Sequence, residues 1–130
     1  MRLFLRLTAL IILLVGTVHI TLGIGGEALL GSAPSAETLA NPGLDSQNRF
    51  YGAAFILYAV LLWIGAAEPQ RHRTVLLALF GCFFLGGLAR LVSIAMTGTP
   101  PPAILLLLAS ELLIPAYFWW WLSRQARNSP

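Results

Sequence analysis

Arg90 and Glu111 are the residues of this sequence whose types and positions most strongly suggest chemistry, because each lies within a hydrophobic stretch long enough to cross a membrane. A charge at that depth costs about 2.5–3.5 kcal/mol, so it usually has a partner or a function. Their opposite charges could form an ion pair, hold a polar ligand or transfer a proton. Pro115 lies four residues after Glu111 and lacks a backbone N–H, so the Glu111 carbonyl loses its helical partner and a kink is expected. The sequence therefore predicts a polar site inside a membrane.

The composition indicates that lipid surrounds most of this chain. Of its 130 residues, 58% are hydrophobic and 10% are charged, whereas soluble domains have about 45–50% apolar and about 25% charged residues. The net charge of +3 does not indicate nucleic-acid binding, because the basic residues stand in short clusters beside apolar runs, as membrane-anchoring charges do. We therefore expect membrane lipids as partners and no nucleic acid.

The cysteine content excludes several kinds of site. Cys82 is the single cysteine, which rules out an internal disulfide and a CxxC redox pair. No cluster of cysteine and histidine has metal-ligand spacing, and no GxGxxG or P-loop pattern occurs in the sequence. We expect neither a bound metal nor a cofactor.

Four hydrophobic stretches are each close to the roughly 20 residues that a transmembrane helix needs. They cover about residues 3–24, 49–67, 74–96 and 103–122. Polar or proline-rich segments separate them, and residues 25–48 form the one long connection. The sequence predicts an all-α fold, an integral membrane four-helix bundle that forms a single transmembrane domain over residues 1–130.

The arginines predict which ends of the spans face the cytoplasm, because cytoplasmic loops carry an excess of Lys and Arg. In a four-span protein, one side would hold Arg2, Arg6, Arg71, Arg73, Arg124 and Arg127. On the opposite side only Arg49 occurs, at the edge of the second span. Both termini should therefore be cytoplasmic, and the loop of residues 25–48 should face outward.

Four ionisable side chains on four different spans are predicted to lie in the outer half of the membrane. At about 1.5 Å per residue, Glu111 lies about 12 Å below the outer surface, Arg90 about 9–10 Å and His19 about 8 Å. Arg49 lies at the outer edge of its span. We expect Arg90 and Glu111 to pair directly, since their depths agree best. Arg49 could be a second partner of Glu111 or could extend to the headgroups.

Helical spacing predicts that each span turns its polar residue toward the interior of the bundle. The four faces are Ile12, Gly16, His19 and Gly23; Arg49, Gly52, Ala53 and Ile56; Cys82, Gly86, Ala89, Arg90 and Ser93; and Leu108, Glu111, Pro115 and Phe118. Small residues on such faces let membrane helices approach closely. Asp45 or Glu27 in the outer loop could balance the surplus of positive charge. We predict that the ligand-binding residues are His19, Arg49, Arg90, Ser93 and Glu111.

Three short motifs resemble those of a known family: Asn48-Arg49-Phe50-Tyr51-Gly52, Arg90-Leu91-Val92-Ser93 and Glu111-Leu112-Leu113-Ile114-Pro115. Over nearly its whole length the chain resembles small bacterial four-helix membrane proteins described as a domain of unknown function, which are distantly similar to the DoxX/DoxD-like proteins. The resemblance implies a compact bundle in the bacterial cytoplasmic (inner) membrane. Some DoxD-like relatives are subunits of quinone-linked oxidoreductases. No redox motif here carries that activity over, and this chain lacks the cysteine pair of relatives that work with thiols.

Three functions follow as alternatives. The first is binding or handling of a lipid-like or quinone-like small molecule at the buried polar site. The second is an accessory or scaffold role in a complex with a membrane protein partner, in which the Arg90–Glu111 pair is purely structural. The third is an enzyme that uses Glu111 and His19 as general acid and base. For this third function the sequence specifies no substrate, and no nucleophile beyond Ser93 or Cys82.

Overall fold

Every regular element of the described chain is helical. The computed structural model describes the backbone of residues 1–127 and the side chains of residues 1–125. Within these residues the elements follow in the order α1 Arg2–Leu22, a 3₁₀ helix Gly23–Leu30, α2 Ala36–Leu39, α3 Pro42–Ala67, α4 Arg73–Thr97 and α5 Pro102–Arg127.

Four helices of the described residues are long and apolar enough to cross a membrane. They are Arg2–Leu30, which joins α1 to the 3₁₀ helix, and then Pro42–Ala67, Arg73–Thr97 and Pro102–Gln125. They contain 24 to 29 residues, whereas the hydrocarbon core requires about 20, so their ends have the length to reach the headgroups. The predicted all-α fold with four apolar spans is confirmed at the level of helix length and composition.

The helix α3 begins at Pro42, so the predicted long loop over residues 25–48 is wrong in its extent. Asn41 is the N-cap, and its side-chain oxygen accepts hydrogen bonds from two backbone N–H groups of the first turn at 3.0 and 3.2 Å. Pro42 occupies the start of the helix, where its missing N–H would have no intrahelical partner. This early start places Asp45 and Asn48 on the helix rather than in a loop.

Between α1 and α3 the chain forms a 3₁₀ helix of eight residues, whereas runs of this helix type longer than about four residues are uncommon. Gly23 begins it with a φ angle of 55°. A Cβ on Gly23 would also overlap the carboxylate of Asp45. Glycine is therefore required both by the backbone conformation and by the close contact. The 3₁₀ helix that begins there places Glu27 within hydrogen-bond distance of Asn48 on α3.

The chain divides into two compact units, residues 1–75 and residues 76 onward. In the first unit α1 packs against α3. Their backbones touch at Gly16 and Gly52, since a Cβ on either glycine would lie within 2.8 Å of the carbonyl oxygen of the other. Such crossings at small residues are typical of membrane helices. The single transmembrane domain stays a prediction, as does its packing into one four-helix bundle.

In the second unit, contacts between α4 and α5 combine one glycine with aromatic rings. A Cβ on Gly87 would lie 2.8 Å from Cδ2 of Leu112, so α5 lies directly against the backbone of α4 at this point. The rings of Phe80 and Phe118 have their centroids 4.4 Å apart, a distance typical of packed aromatic pairs. Both rings are fully buried, so they form an apolar contact on the side of the unit toward the C-terminus of α5.

Burial confirms two of the four predicted faces as buried faces. On α1 the buried residues include Ile12, Gly16 and His19, and Gly23 at its end is buried as well. On α5 the whole predicted face is buried: Leu108, Glu111, Pro115 and Phe118. On α3, Gly52 is the one buried member of the predicted face.

The predicted small-residue face of α4 is wrong as a buried face. Its members Cys82, Gly86, Ala89 and Ser93 are exposed. The helix instead buries Leu76, Leu79, Phe80 and Gly87. Burying large side chains creates many more dispersion contacts than burying small ones, so the large apolar residues decide which side of α4 is covered.

Candidate functional sites

The second unit contains a close ion pair between α4 and α5. Nε of Arg90 lies 2.8 Å from Oε2 and 3.0 Å from Oε1 of Glu111. The Glu111 side chain is 10% exposed, whereas the Arg90 side chain is 36% exposed. The predicted direct pair of Arg90 and Glu111 is therefore confirmed, and the carboxylate is its more buried partner.

The form of this pair differs from the two-pronged arrangement in which two N–H groups of arginine face two carboxylate oxygens. Here the single Nε–H of Arg90 is shared between both oxygens of Glu111. A guanidinium has five N–H donors and no acceptor. The four donors on Nη1 and Nη2 make no hydrogen bond to the described part of the chain.

Gly87 positions the ion pair. It lies about one helical turn before Arg90 on α4, and a Cβ there would lie 3.2 Å from Cβ of Glu111. The absence of a side chain at Gly87 therefore lets the backbone of α5 bring the carboxylate close to α4. Pro115 is fully buried inside α5, one turn after Glu111. The predicted kink at Pro115 stays a prediction.

Ser93 does not join the buried pair. It is exposed on α4, and its hydroxyl oxygen lies 3.4 Å from the hydroxyl oxygen of Thr97. Thr97 also donates a hydrogen bond from its hydroxyl to the Ser93 carbonyl at 2.8 Å. With the Thr97 hydrogen on that carbonyl, the Ser93 hydroxyl is the donor toward the Thr97 oxygen. The role of Ser93 in ligand binding stays a prediction.

In the first unit, His19 is buried with 8% of its surface exposed. Its Nδ1 lies 2.8 Å from the Val15 carbonyl oxygen. Its Nε2 lies 3.7 Å from Oε1 of Glu27 on the 3₁₀ helix, and its ring meets that of Phe55 edge to face at a centroid distance of 5.6 Å. The histidine thus bonds to its own helix on one side and faces a carboxylate on the other.

Asn48 extends this polar group onto α3. Its Nδ2 donates a hydrogen bond to Oε1 of Glu27 at 3.2 Å. Its Oδ1 is buried and has no hydrogen-bond partner in the part of the chain that the structure describes. The spacing of charged residues does not single out Asn48 as a site residue. The helix-start signal at Asn41 and Pro42 does place it on a helix.

Arg49 is bound within its own unit. Its Nε donates to Oδ2 of Asp45 at 2.7 Å, and its Nη1 donates to the carbonyl oxygens of Ile20 and Thr21 at the end of α1. Asp45 in turn accepts a hydrogen bond from the backbone N–H of Ile24 at 3.2 Å. Cations near a helix C-terminus bind its last carbonyls and complement its dipole. The expected charge balance by Asp45 is confirmed for Arg49.

The predicted site residues are therefore divided between the two units. His19 and Arg49 belong to the first unit, and Arg90, Ser93 and Glu111 belong to the second. Their convergence on a single site stays a prediction. The described residues contain no group of three or more His, Cys, Asp or Glu side chains that could hold a metal ion.

An apolar groove lies elsewhere in the first unit, toward the N-terminus of α1. Its lining consists of Ala9, Leu10, Leu13, Ala59, Val60, Trp63 and Ile64. None of the predicted site residues belongs to it, and its surface is almost entirely apolar. Arg6 lies over the Trp63 ring at 5.3 Å from its centroid, beside this groove.

Comparison with known proteins identifies a family and little else. The sequence matches the family described as Domain of unknown function (DUF4345) over residues 1–122. No curated protein and no solved structure matches the chain. The match agrees with the resemblance to an uncharacterised family that the sequence motifs indicated.

Proposed function

Because the chain belongs to the DUF4345 family, a family described as a domain of unknown function, we propose a function from the chemistry of its polar residues. The protein is a multi-pass membrane protein that binds a lipid-like or quinone-like molecule, and Arg90 holds the polar head of that molecule. The observation that carries the proposal is the guanidinium of Arg90, which uses one N–H for Glu111 and has its other donors left for a partner.

The environment of Arg90 supports a bound acceptor. A polar group without a partner costs several kcal/mol in hydrocarbon, and the Arg90 side chain is 36% exposed within a candidate membrane span. The surface around it offers lipid rather than water at the predicted depth. A phosphate, a carboxylate or a quinone carbonyl would supply the oxygen atoms that the Nη groups need.

The charge of the site is compatible with a neutral or an anionic head group. Arg90 and Glu111 carry opposite charges and together are close to neutral. A neutral carbonyl oxygen can therefore bind to the Nη groups without adding charge to the site. A phosphate diester binds to the same Nη groups, while Glu111 remains on the Nε side of the guanidinium. The pair thus orients a fixed set of donors toward lipid.

The arginine pattern supports an orientation for this protein. Arg2, Arg6, Arg71, Arg73 and Arg124 stand at the ends of the spans that would face the cytoplasm. In that orientation the Arg90–Glu111 pair lies in the outer half of the membrane. We place the protein in the bacterial cytoplasmic membrane, in agreement with the family resemblance.

Native mass spectrometry of the purified protein tests the proposal through co-purified molecules. The wild type should retain a lipid or quinone that is lost in Arg90→Ala. Arg90→Lys keeps a positive charge beside Glu111 but lacks the planar set of Nη donors, so it should fold and still lose much of the bound molecule. Arg124→Ala is the matched control, because Arg124 is exposed and lies over the Trp120 ring near the end of α5.

Retention that is equal in the wild type, Arg90→Ala and Arg90→Lys would contradict the proposal. Retention that falls equally in Arg124→Ala would show a general loss of lipid from detergent-solubilised protein, and would contradict it as well.

A second candidate function has one observation in its favour. The small residues Cys82, Gly86 and Ala89 form an exposed strip on α4, and strips of this kind are common where membrane helices associate. In this alternative the protein is an accessory or scaffold subunit, and the Arg90–Glu111 pair serves only to join α4 to α5.

A charge exchange separates the two candidates. The double variant Arg90→Glu with Glu111→Arg keeps an ion pair between the helices but moves the guanidinium to α5. Crosslinking in native membranes that still captures a stoichiometric partner with this variant favours the scaffold role. Loss of a bound lipid or quinone from the same variant favours the binding role.

A further inference from the structure

A second polar cluster lies in the first unit, where the end of α1, the 3₁₀ helix and α3 meet. It consists of His19, Glu27 and Asn48, and each side chain presents a hydrogen-bond acceptor. We propose that this cluster is a binding site for a primary ammonium group, whose three N–H bonds are accepted by the three side chains. The site is independent of the function proposed for Arg90.

The tautomer of His19 leaves an acceptor in the cluster. A backbone carbonyl can only accept, so the contact of 2.8 Å between Nδ1 and the Val15 oxygen requires the hydrogen on Nδ1. In the neutral ring the lone pair is then on Nε2. The distance of 3.7 Å from Nε2 to Oε1 of Glu27 is too long for a hydrogen bond. Nε2 is therefore available to a donor that lies beside the carboxylate.

The orientation of Asn48 supplies a second acceptor. The ionised carboxylate of Glu27 accepts hydrogen bonds, so the amide of Asn48 must direct its Nδ2 toward Glu27 and its Oδ1 elsewhere. That Oδ1 is buried without a partner among the described residues. A buried acceptor in this condition has lost its hydrogen bond to water without replacement, and a ligand with an N–H group supplies the missing bond.

The charge of the cluster favours a cation. Asp45 on α3 forms an ion pair with Arg49, with 2.7 Å between Oδ2 of Asp45 and Nε of Arg49. When the His19 ring is neutral, the Glu27 carboxylate is the charged group among the three side chains. The cluster then carries one negative charge. A primary ammonium has one positive charge and three donors, and it matches both the charge and the number of acceptors.

A metal ion fits the same residues less well. Catalytic zinc sites use three protein ligands chosen from histidine, cysteine and carboxylates. This cluster has one imidazole, one carboxylate and one weakly binding amide, and the structure shows no third strong ligand in the part it describes. A quaternary ammonium has the required charge but no N–H donor, so the cluster should reject it.

The position of the cluster brings it close to the headgroup region, and Glu27 is more exposed than His19, with 29% of its side chain accessible. Along α1, His19 lies about 20 Å from Arg6, and the hydrocarbon core is about 30 Å thick. With Arg6 anchored at one surface, His19 and the following 3₁₀ helix lie near the opposite headgroups. The ammonium group can therefore come from an aminophospholipid or from a soluble amine.

The test compares ligands of equal charge that differ in N–H donors. For a lipid ligand, the full chain is taken from vesicles with equal amounts of phosphatidylethanolamine and phosphatidylcholine, and native mass spectrometry measures how much of each lipid stays bound. For a soluble amine, melting curves with ethylammonium or tetramethylammonium measure how strongly each cation stabilises the protein. Since hydrogen bonds to charged groups contribute about 1.5–3 kcal/mol, we expect a preference of roughly tenfold or more for the primary ammonium in one of the two comparisons.

Two variants and a control connect the preference to the cluster. Glu27→Gln removes the charge but keeps an oxygen for the Asn48 amide, and Asn48→Ala removes the buried oxygen. Each should reduce the preference to about one. Gln47→Ala should retain it, because Gln47 is exposed and its amide bonds to Tyr51. Equal binding of both ligands by the wild type in both comparisons overturns the proposal, as does a preference that persists in both variants.

Discussion

Gly16 and Gly52 face each other across the contact between α1 and α3, and each occupies the space that a side chain on the other would need. A Cβ on Gly16 would lie 2.8 Å from the Gly52 carbonyl oxygen, and a Cβ on Gly52 would lie 2.7 Å from the Gly16 carbonyl oxygen. Neither backbone can give way without separating the two helices. The polar cluster of His19, Glu27 and Asn48 lies next to this crossing, so its geometry depends on the same contact.

Gly52→Ala should therefore destabilise the first unit, by about 1–3 kcal/mol as other overpacked positions do. The melting temperature in detergent measures the effect. Gly81→Ala is the control, because a Cβ on Gly81 meets nothing within 4 Å. Equal melting temperatures for the two variants would show that α1 and α3 are not in contact at Gly52.

Glu111→Gln should lower stability, because it removes the charge that pairs with Arg90 and leaves the guanidinium with a neutral partner. The partial exposure of Arg90 limits the loss, which we expect to be roughly 1–3 kcal/mol. Replacing both residues, as in Arg90→Met with Glu111→Met, should restore much of it, since apolar pairs of similar size often replace buried ion pairs without loss.

A double-mutant cycle in detergent, with Arg90→Met and Glu111→Met as the single variants, measures this coupling. Purely additive effects on melting temperature would mean that the two side chains do not interact.

Gly87→Ala should separate α5 from α4 and weaken the Arg90–Glu111 pair. The added Cβ would lie 2.8 Å from Cδ2 of Leu112 and 3.2 Å from Cβ of Glu111. The neighbouring Gly86 is a close control, because a Cβ there meets nothing within 4 Å. We expect lower melting temperature and lower retention of the bound molecule in Gly87→Ala, and wild-type values in Gly86→Ala. The opposite ranking would mean that the small-residue strip on α4 is the contact face after all.

Arg49→Ala should loosen the end of α1, because the side chain bonds to the carbonyls of Ile20 and Thr21 and to Asp45. We expect faster hydrogen exchange over residues 20–30, because the last carbonyls of α1 lose their side-chain donor. Arg71→Ala is the control for removing an arginine, because its pair with Glu68 is largely exposed and such pairs contribute little. Exchange that is unchanged in Arg49→Ala would contradict the capping role.

Hydropathy and depth were sufficient to predict the four spans and the Arg90–Glu111 pair, because membrane thickness restricts both the length of a helix and the level of a buried charge. The buried face of α5 was predictable for the same reason: Glu111 lies on the side of the helix that also carries Pro115 and Phe118. A charge in a span requires a partner, and this requirement identifies the covered side.

Other parts of the structure depend on signals that hydropathy does not contain. The start of α3 depends on the capping side chain of Asn41 and on Pro42, which are polar and irregular residues in a hydropathy profile. Hydropathy alone therefore leaves Asp45 and Asn48 in a loop and does not predict their contacts with Ile24 and Glu27 of the 3₁₀ helix. On α4 the small residues were expected inside, but Leu76, Leu79 and Phe80 are buried in their place. Spacing alone does not distinguish a small-residue face from a large apolar one.

Thiol labelling tests the membrane position and the orientation together. Cys82 is exposed on α4, about 13–14 Å along the axis from Arg73. It should therefore face lipid, resist a charged maleimide in intact cells and react with a lipid-soluble one.

The orientation is tested in a Cys82→Ser background. Ala33→Cys should react with the charged reagent from outside, because residue 33 belongs to the connection that the arginine pattern places outside. Gln70→Cys, between α3 and α4, should react only after permeabilisation. The reverse pattern for these two positions would contradict cytoplasmic termini, and labelling of Cys82 by the charged reagent would place α4 in water.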